Sequence, residues 1–183
     1  MNINLILIFV IVLLVLFAWF TYNSLATGKV RIKEALSGID VQLKRRVDLV
    51  PNLIQTVKGY AKHEKQLLEN VTKARSSLMN ASTTQQKASS DNMLSSALKS
   101  LIAISESYPD LKASKNFLQL QEELSDIEAK IAYARQFYNT NVGAYNSTLV
   151  NFPGSIIGSM FGYKSEDFFE TTDAERKNVK VSF

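Results

Sequence analysis

The apolar positions of this chain change rhythm once, and the change divides it. Leu5 to Phe20 is an unbroken run of sixteen apolar residues, extended to Ile3 across Asn4. With Thr21 and Tyr22 it reaches roughly 20 residues, the length needed to cross a hydrocarbon core. In lipid the backbone must satisfy its own hydrogen bonds, so the run is expected to be a helix. Leu5, Phe9, Leu13, Phe17, Trp19, Phe20 and Tyr22 form the expected anchor, with Trp19 and Tyr22 at its end, where amphipathic rings favour the interface. A cleaved signal peptide is the alternative, because Ser24-Leu25-Ala26 is faintly like a cleavage site. The lack of a basic n-region and the length of the apolar run favour the uncleaved anchor.

Beyond Lys29 the spacing becomes helical and amphipathic. Ile32, Leu36, Ile39, Leu43, Val50, Leu53, Ile54 and Val57 fall on one stripe between about Lys29 and Lys58. Pro51 lies inside it, removes a backbone donor and disfavours α geometry at Val50, so a kink or a break is expected there. Gly59 to Ala61 reads as a helix end or a sharp bend. His63 to Met79 is a second helix, with Leu67, Leu68, Val71, Ala74 and Leu78 as its apolar positions. Asn80 to Asn92 reads as a mobile polar connection, with Asp91 as the cap of a third helix that runs to about Ser107. Tyr108-Pro109-Asp110 stops that helix.

The organising stretch runs from Ser114, a candidate cap, to Phe152. Leu124, Ile131, Tyr138, Tyr145 and Phe152 recur every seventh residue, with Leu120, Ile127 and Ala134 interleaved, which draws one apolar seam along a helix. At about 1.5 Å per residue that helix is nearly 60 Å long. The expected fold is all-α: an N-terminal transmembrane helix followed by an up-and-down antiparallel four-helix bundle with long first and last helices. Residues 1–28 are the anchor and juxtamembrane segment, 29–154 the bundle, and 155–183 an extension partly docked through Phe161, Phe168 and Phe169.

Composition narrows the chemistry. Seven glycines and three prolines suit long helices, and the absence of cysteine removes disulfides, thiol nucleophiles and Cys-ligated zinc. Residues 29–75 carry eleven Lys/Arg against five Asp/Glu, so the basic excess lies next to the anchor. It fits a surface close to anionic lipid better than a nucleic-acid groove. Lys29, Arg31, Lys33, Lys44 and Arg45 follow the apolar run and no Lys or Arg precedes it, which by the positive-inside rule puts the N-terminus outside and the large domain in the cytoplasm.

Candidate catalytic groups are few. His63 is the lone histidine; no Glu-x-x-His or His-Glu-x-x-His pattern occurs, so no metal site is expected. Ser96 and Lys99 match a Ser-x-x-Lys dyad, but about one such match arises by chance and the companion motifs are missing. Glu122, Glu123, Asp126 and Glu128 read as a solvated helix face rather than paired glycosidase carboxylates. Lys44-Arg45-Arg46 is too short for a nucleic-acid arm, and no glycine-rich phosphate loop occurs. Arg46, seven residues from both Ile39 and Leu53, intrudes on the apolar stripe. Either it is buried and paired, with Asp110 or Glu123 as the candidates, or its stem packs while its head reaches water.

Arg46-Val47-Asp48-Leu49-Val50-Pro51-Asn52-Leu53, Val57-Lys58-Gly59-Tyr60-Ala61 and His63-Glu64 resemble the signature blocks of the LemA family. So do Tyr108-Pro109-Asp110-Leu111-Lys112-Ala113, Asn116-Phe117, Tyr138-Asn139, Tyr145-Asn146, Phe152-Pro153 and Phe168-Phe169-Glu170. The resemblance covers nearly the whole chain. It implies a bacterial protein with a single-span anchor, a four-helix bundle and no established catalytic activity, with magnetosome-forming relatives linked to membrane biogenesis.

The expected function is a non-enzymatic scaffold at the bacterial inner membrane that self-associates or docks a membrane protein partner through helix faces such as Tyr138 and Tyr145. No cofactor, small-molecule substrate or nucleic acid is expected; the lipid bilayer is. The alternative is an adaptor for a membrane enzyme, such as a protease, without self-assembly. A hydrolase using Ser96 and Lys99 or the 122–128 carboxylates is a third reading.

Overall fold

The computed structural model describes residues 3–169. Among them the regular structure is entirely helical: α1 (Ile3–Tyr60), α2 (Lys65–Met79), α3 (Thr84–Ala103), a 3-10 turn (Ile104–Ser107), α4 (Pro109–Lys112), α5 (Lys115–Val150) and α6 (Gly154–Phe161). The described residues form two compact units, one of residues 3–37 with 136–168, the other of residues 38–135 with Phe169. Helices α1 and α5 contribute residues to both. Asn23 to Gly28 continue α1 rather than interrupt it, so the apolar run and the amphipathic stripe are one helix.

In the unit built on 38–135, Ile39, Leu43, Val47, Val50, Leu53 and Val57 of α1 are buried at spacings of three and four, the pattern of one helical face. Val71, Ala74 and Leu78 of α2, Leu94, Leu98 and Leu101 of α3, Leu111 of α4, and Phe117, Leu124, Ile127 and Ile131 of α5 complete the core. Each fully buried aliphatic side chain contributes about 1.5–3 kcal/mol relative to exposure. Pro51 sits inside α1 without breaking it. Proline has no N–H to offer the carbonyl four residues back, which is that of Val47. Arg75 of α2 supplies the missing donor, its Nε bonding to the Val47 carbonyl at 2.9 Å.

The polar stretch after α2 is more ordered than its composition suggested. Only Asn80 to Thr83 lie between α2 and α3. Thr83, not Asp91, caps α3: its hydroxyl accepts from the Gln86 N–H, and the Gln86 side chain accepts from the Thr83 N–H, a capping box. Asp91 lies within α3 and is fully buried. The third apolar run ends at Ala103, earlier than the expected Ser107, and Pro109 opens the one-turn α4 at a position where its missing donor costs nothing.

In the other unit, Leu25, Ile32 and Ala35 of α1 and Tyr138, Val142 and Tyr145 of α5 are buried. The seam along α5 is therefore real at Leu124, Ile131, Tyr138 and Tyr145, but it ends there. Helix α5 stops at Val150, and Phe152 lies beyond it and is exposed. Helix α6 follows. A Cβ on Gly154 would collide with the Thr148 backbone carbonyl, so only glycine permits this close approach, whereas one on Gly158 would meet the tip of the Leu149 side chain, which would have to shift. Gly162, at φ 71°, ends α6 in the left-handed conformation, with Tyr163 N–H bonding to the Gly158 carbonyl at 2.9 Å. Residues 163–169 have no regular secondary structure. The acidic-then-basic tail from Glu170 onward lies outside the described residues.

Candidate functional site

Two clusters concentrate the polar chemistry, one in each unit. The first is a buried ion network, in which Arg46 is 3% exposed and Asp91 0%. Arg46 Nη1 bonds to Asp91 Oδ1 at 2.6 Å and donates to Ser95 Oγ at 2.9 Å, while Nη2 meets the Glu128 carboxylate. The second oxygen of Asp91 accepts from Arg135 Nη2 at 2.6 Å, and Arg135 also donates to Asn92 Oδ1 at 3.1 Å. The Arg135 guanidinium lies 5.0 Å from the Phe169 ring centroid, a cation–π contact. Two arginines thus face two carboxylates, with Asp91 shared between both. Burying a charge is costly unless it is paired and hydrogen-bonded; the set pairs every charge through the guanidinium Nη atoms, while the buried Nε–H groups of Arg46 and Arg135 are left without an acceptor.

The expected partners of Arg46 were wrong. Asp110 is exposed on α4, and Glu123 accepts from Gln119 Nε2 at 2.9 Å. The actual partner carried a legible signal. Asp91 precedes Leu94, Leu98 and Leu101 on the apolar stripe of α3, and Arg135 lies between Ile131 and Tyr138 on that of α5. Charged residues in three apolar seams must pair or leave the core.

The second cluster is a clasp on residues 164–167. Tyr138 donates its hydroxyl to the Asp167 carbonyl and Tyr145 to the Lys164 carbonyl, both at 2.9 Å. The Asn146 amide donates to the Glu166 carbonyl and accepts from the Glu166 N–H, again at 2.9 Å each. Asn146 therefore pairs with Glu166 as a neighbouring strand would. Lys29 of α1 adds an ion pair to Glu166 at 3.5 Å, and Gly28 leaves room for the Tyr145 ring, which a Cβ would meet at 3.1 Å. Burial, then the Glu166 charge, then Tyr163 hold the Tyr145 hydroxyl above its ordinary titration range. Tyr138 and Tyr145 are 2% exposed, so the expectation that they present a docking face to other proteins is corrected: their faces are covered by this chain's own extension.

The remaining signature residues are dispersed. Asp48 is exposed and paired with Lys44 one turn away at 2.6 Å. Asn52 is exposed, with its carbonyl accepting from the Thr56 hydroxyl. His63 is exposed in the turn between α1 and α2. Tyr108 donates to Glu64 Oε1 at 3.1 Å, and that bond, followed by burial and the Glu64 charge, raises its pKa. Asn139 is half-buried. Phe152 lies against Phe17, with ring centroids 6.3 Å apart, and Pro153 precedes α6.

The hydrolase candidates do not assemble. Ser96 is exposed and its hydroxyl is spent on the Asn92 carbonyl at 3.0 Å. Lys99 instead lines a cleft of about 500 Å³ with Arg46, Ser95, Leu98, Leu124 and Glu128. Asp126 pairs with Lys130 at 2.6 Å and Glu122 is exposed. Among the described residues, no group of three or more His, Cys, Asp or Glu side chains is placed to hold a metal ion. The apolar residues Ile3 to Phe17, by contrast, are all exposed, and α1 is long and apolar enough to cross a membrane.

A family model described as the LemA family matches residues 35–183. The chain is similar to Protein LemA of Metamycoplasma hominis, 28% identical over 161 residues that cover 87% of this chain and 74% of that protein. It is also similar to Magnetosome protein MamQ of Magnetospirillum gryphiswaldense, 24% identical over 179 residues, and to Magnetosome protein MamQ 2 of Paramagnetospirillum magneticum, 22% identical over 179. Each of these matches covers 84% of this chain and 66% of the magnetosome protein, so the chain spans slightly under two thirds of their length.

Proposed function

The chain belongs to the LemA family, and on that premise we propose that it is a membrane-anchored helical scaffold without catalytic activity. The apolar N-terminal helix and the magnetosome relatives point to a membrane-anchored protein. In this reading the segments of α1, α2, α3 and α5 in residues 38–135 make an up-and-down four-helix bundle. The N-terminus lies outside the bacterial inner membrane and the bundle in the cytoplasm, where copies of the chain associate. The observation that carries the reading is the internal use of the polar groups: Arg46, Asp91, Glu128 and Arg135 neutralise one another, and Tyr138, Tyr145 and Asn146 bind the chain's own backbone. Residues so engaged position helices; they do not wait for a substrate.

Support for self-association comes from α5, where Leu118 and Tyr133 remain exposed outside the buried seam. The test is the mass of the detergent-extracted full-length protein beside a version lacking residues 1–22. A discrete assembly in both assigns association to the helical domain, and one lost with the anchor assigns it to the membrane segment. A monomer in both, with lipid restored, overturns self-assembly and favours an adaptor for a membrane enzyme.

A further inference from the structure

Helix α6 has three faces. Gly154 and Gly158 are buried against the chain's own helices, with the Cβ position of Gly158 only 3.8 Å from Leu25 Cδ1 of α1. Ser155 and Ser159 form a second, exposed polar face. The third carries Ile156, Met160 and Phe161, which are 52%, 72% and 60% exposed, and Phe152 just before the helix is 76% exposed. In water so many uncovered large apolar side chains on eight residues would be unfavourable.

Their neighbours identify what covers them. Phe152 lies against Phe17 with tilted rings 6.3 Å apart, and Phe161 against Tyr22 at 4.8 Å. Both partners belong to the last turns of the apolar run, where α1 leaves the hydrocarbon. The uncovered face is thus continuous with the surface of the span. From Gln136 to Tyr163 the chain also carries no charged side chain, so no charge on or beside α6 has to be desolvated for its apolar face to enter a low-dielectric layer.

We propose that α6 is an interfacial helix, lying in the plane of the bilayer beside the exit of α1 with Phe152, Ile156, Met160 and Phe161 sunk into the headgroup–acyl boundary. Its serine face stays toward the headgroups, as in amphipathic helices that lie on a membrane. The chain then holds the bilayer twice, through a span and through a flat wedge, and the two contacts fix the rotation of α1 about its axis. This rests on the membrane-anchored reading and adds a second lipid surface to it.

Trp19 is the one tryptophan in the sequence, which makes the test direct. In the full chain carrying Trp19→Phe, Met160→Trp or Ile156→Trp reports the apolar face and Ser159→Trp the polar face. The proteins are reconstituted in phosphatidylcholine–phosphatidylglycerol vesicles with acyl chains brominated near the headgroup or near the chain end. At 160 and 156 the expected result is blue-shifted emission and a loss of intensity that is larger with the shallow bromines, and much weaker quenching at 159. Water-like emission at both 156 and 160, or equal quenching on the two faces, overturns the proposal. Trp19 of the unaltered protein separates the failures. If Trp19 is quenched and 160 is not, the wedge alone is wrong; if neither is, the anchor is wrong as well.

Discussion

Arg75 donates its Nε–H to the carbonyl of Val47 at 2.9 Å, and that carbonyl is the acceptor that Pro51 leaves unserved. A proline inside a helix ordinarily costs about 3 kcal/mol, partly through this orphaned group. Here a side chain from the neighbouring helix replaces the lost donor, so the proline becomes a point of attachment between α1 and α2.

Substituting Arg75→Ala is expected to cost about 1–3 kcal/mol, because a half-buried carbonyl loses its partner. In a Pro51→Ala background, where the substituted residue provides the backbone donor, the same change is expected to cost much less. Denaturant melts of the four proteins form a double-mutant cycle. Equal costs in both backgrounds would show that Arg75 does not compensate for Pro51.

The ion network predicts an order of sensitivity. Asp91→Ala leaves two arginines facing each other around a vacated site and is expected to cost about 3–5 kcal/mol. Arg46→Met should cost less, since Asp91 keeps Arg135 and the half-exposed Glu128 can turn to water. Arg46→Ala should fall between them, having lost the packing of the stem as well. If Arg46→Met is the most damaging of the three, the shared role assigned to Asp91 is wrong.

The clasp predicts an alkaline limit. The Tyr145 pKa is raised in the folded protein above its ordinary 10.0, so the folded state holds this proton more tightly than the unfolded one. Its contribution is fully present below pH 10 and is lost as the pH rises through the folded value. Tyr145→Phe should therefore lower stability by about 1 kcal/mol at pH 8, with the difference shrinking at pH above 10. Melting temperatures of both proteins across that range check it, and a constant difference would remove the hydroxyl from the account.

Much of the fold was legible because it depends on neighbours in sequence. An apolar run long enough to span a bilayer has only one way to satisfy its backbone, and stripes at spacings of three and four bury whatever they face. Family blocks were legible too, as patterns, but not the work their residues do. Asn80 to Asn92 misled because polar composition says nothing of a capping box formed at Thr83 and Gln86. Asp91 misled because a carboxylate at a plausible helix start looks like a cap until the helix is known to begin earlier.

The sequence by itself determined the anchor, the helical character and the seam of α5, since each follows from periodicity and length within one segment. Only the tertiary structure decided that Arg46 meets Asp91 and Glu128 rather than Asp110, that Arg75 serves the Val47 carbonyl, and that Tyr138 and Tyr145 hold residues 164–167. The physical reason is common to all three. A helical stripe states which side of a helix is buried, but a hydrogen bond between residues some 20 to 80 positions apart depends on which helices are adjacent and on their rotation and register, and those are set by packing the whole core at once.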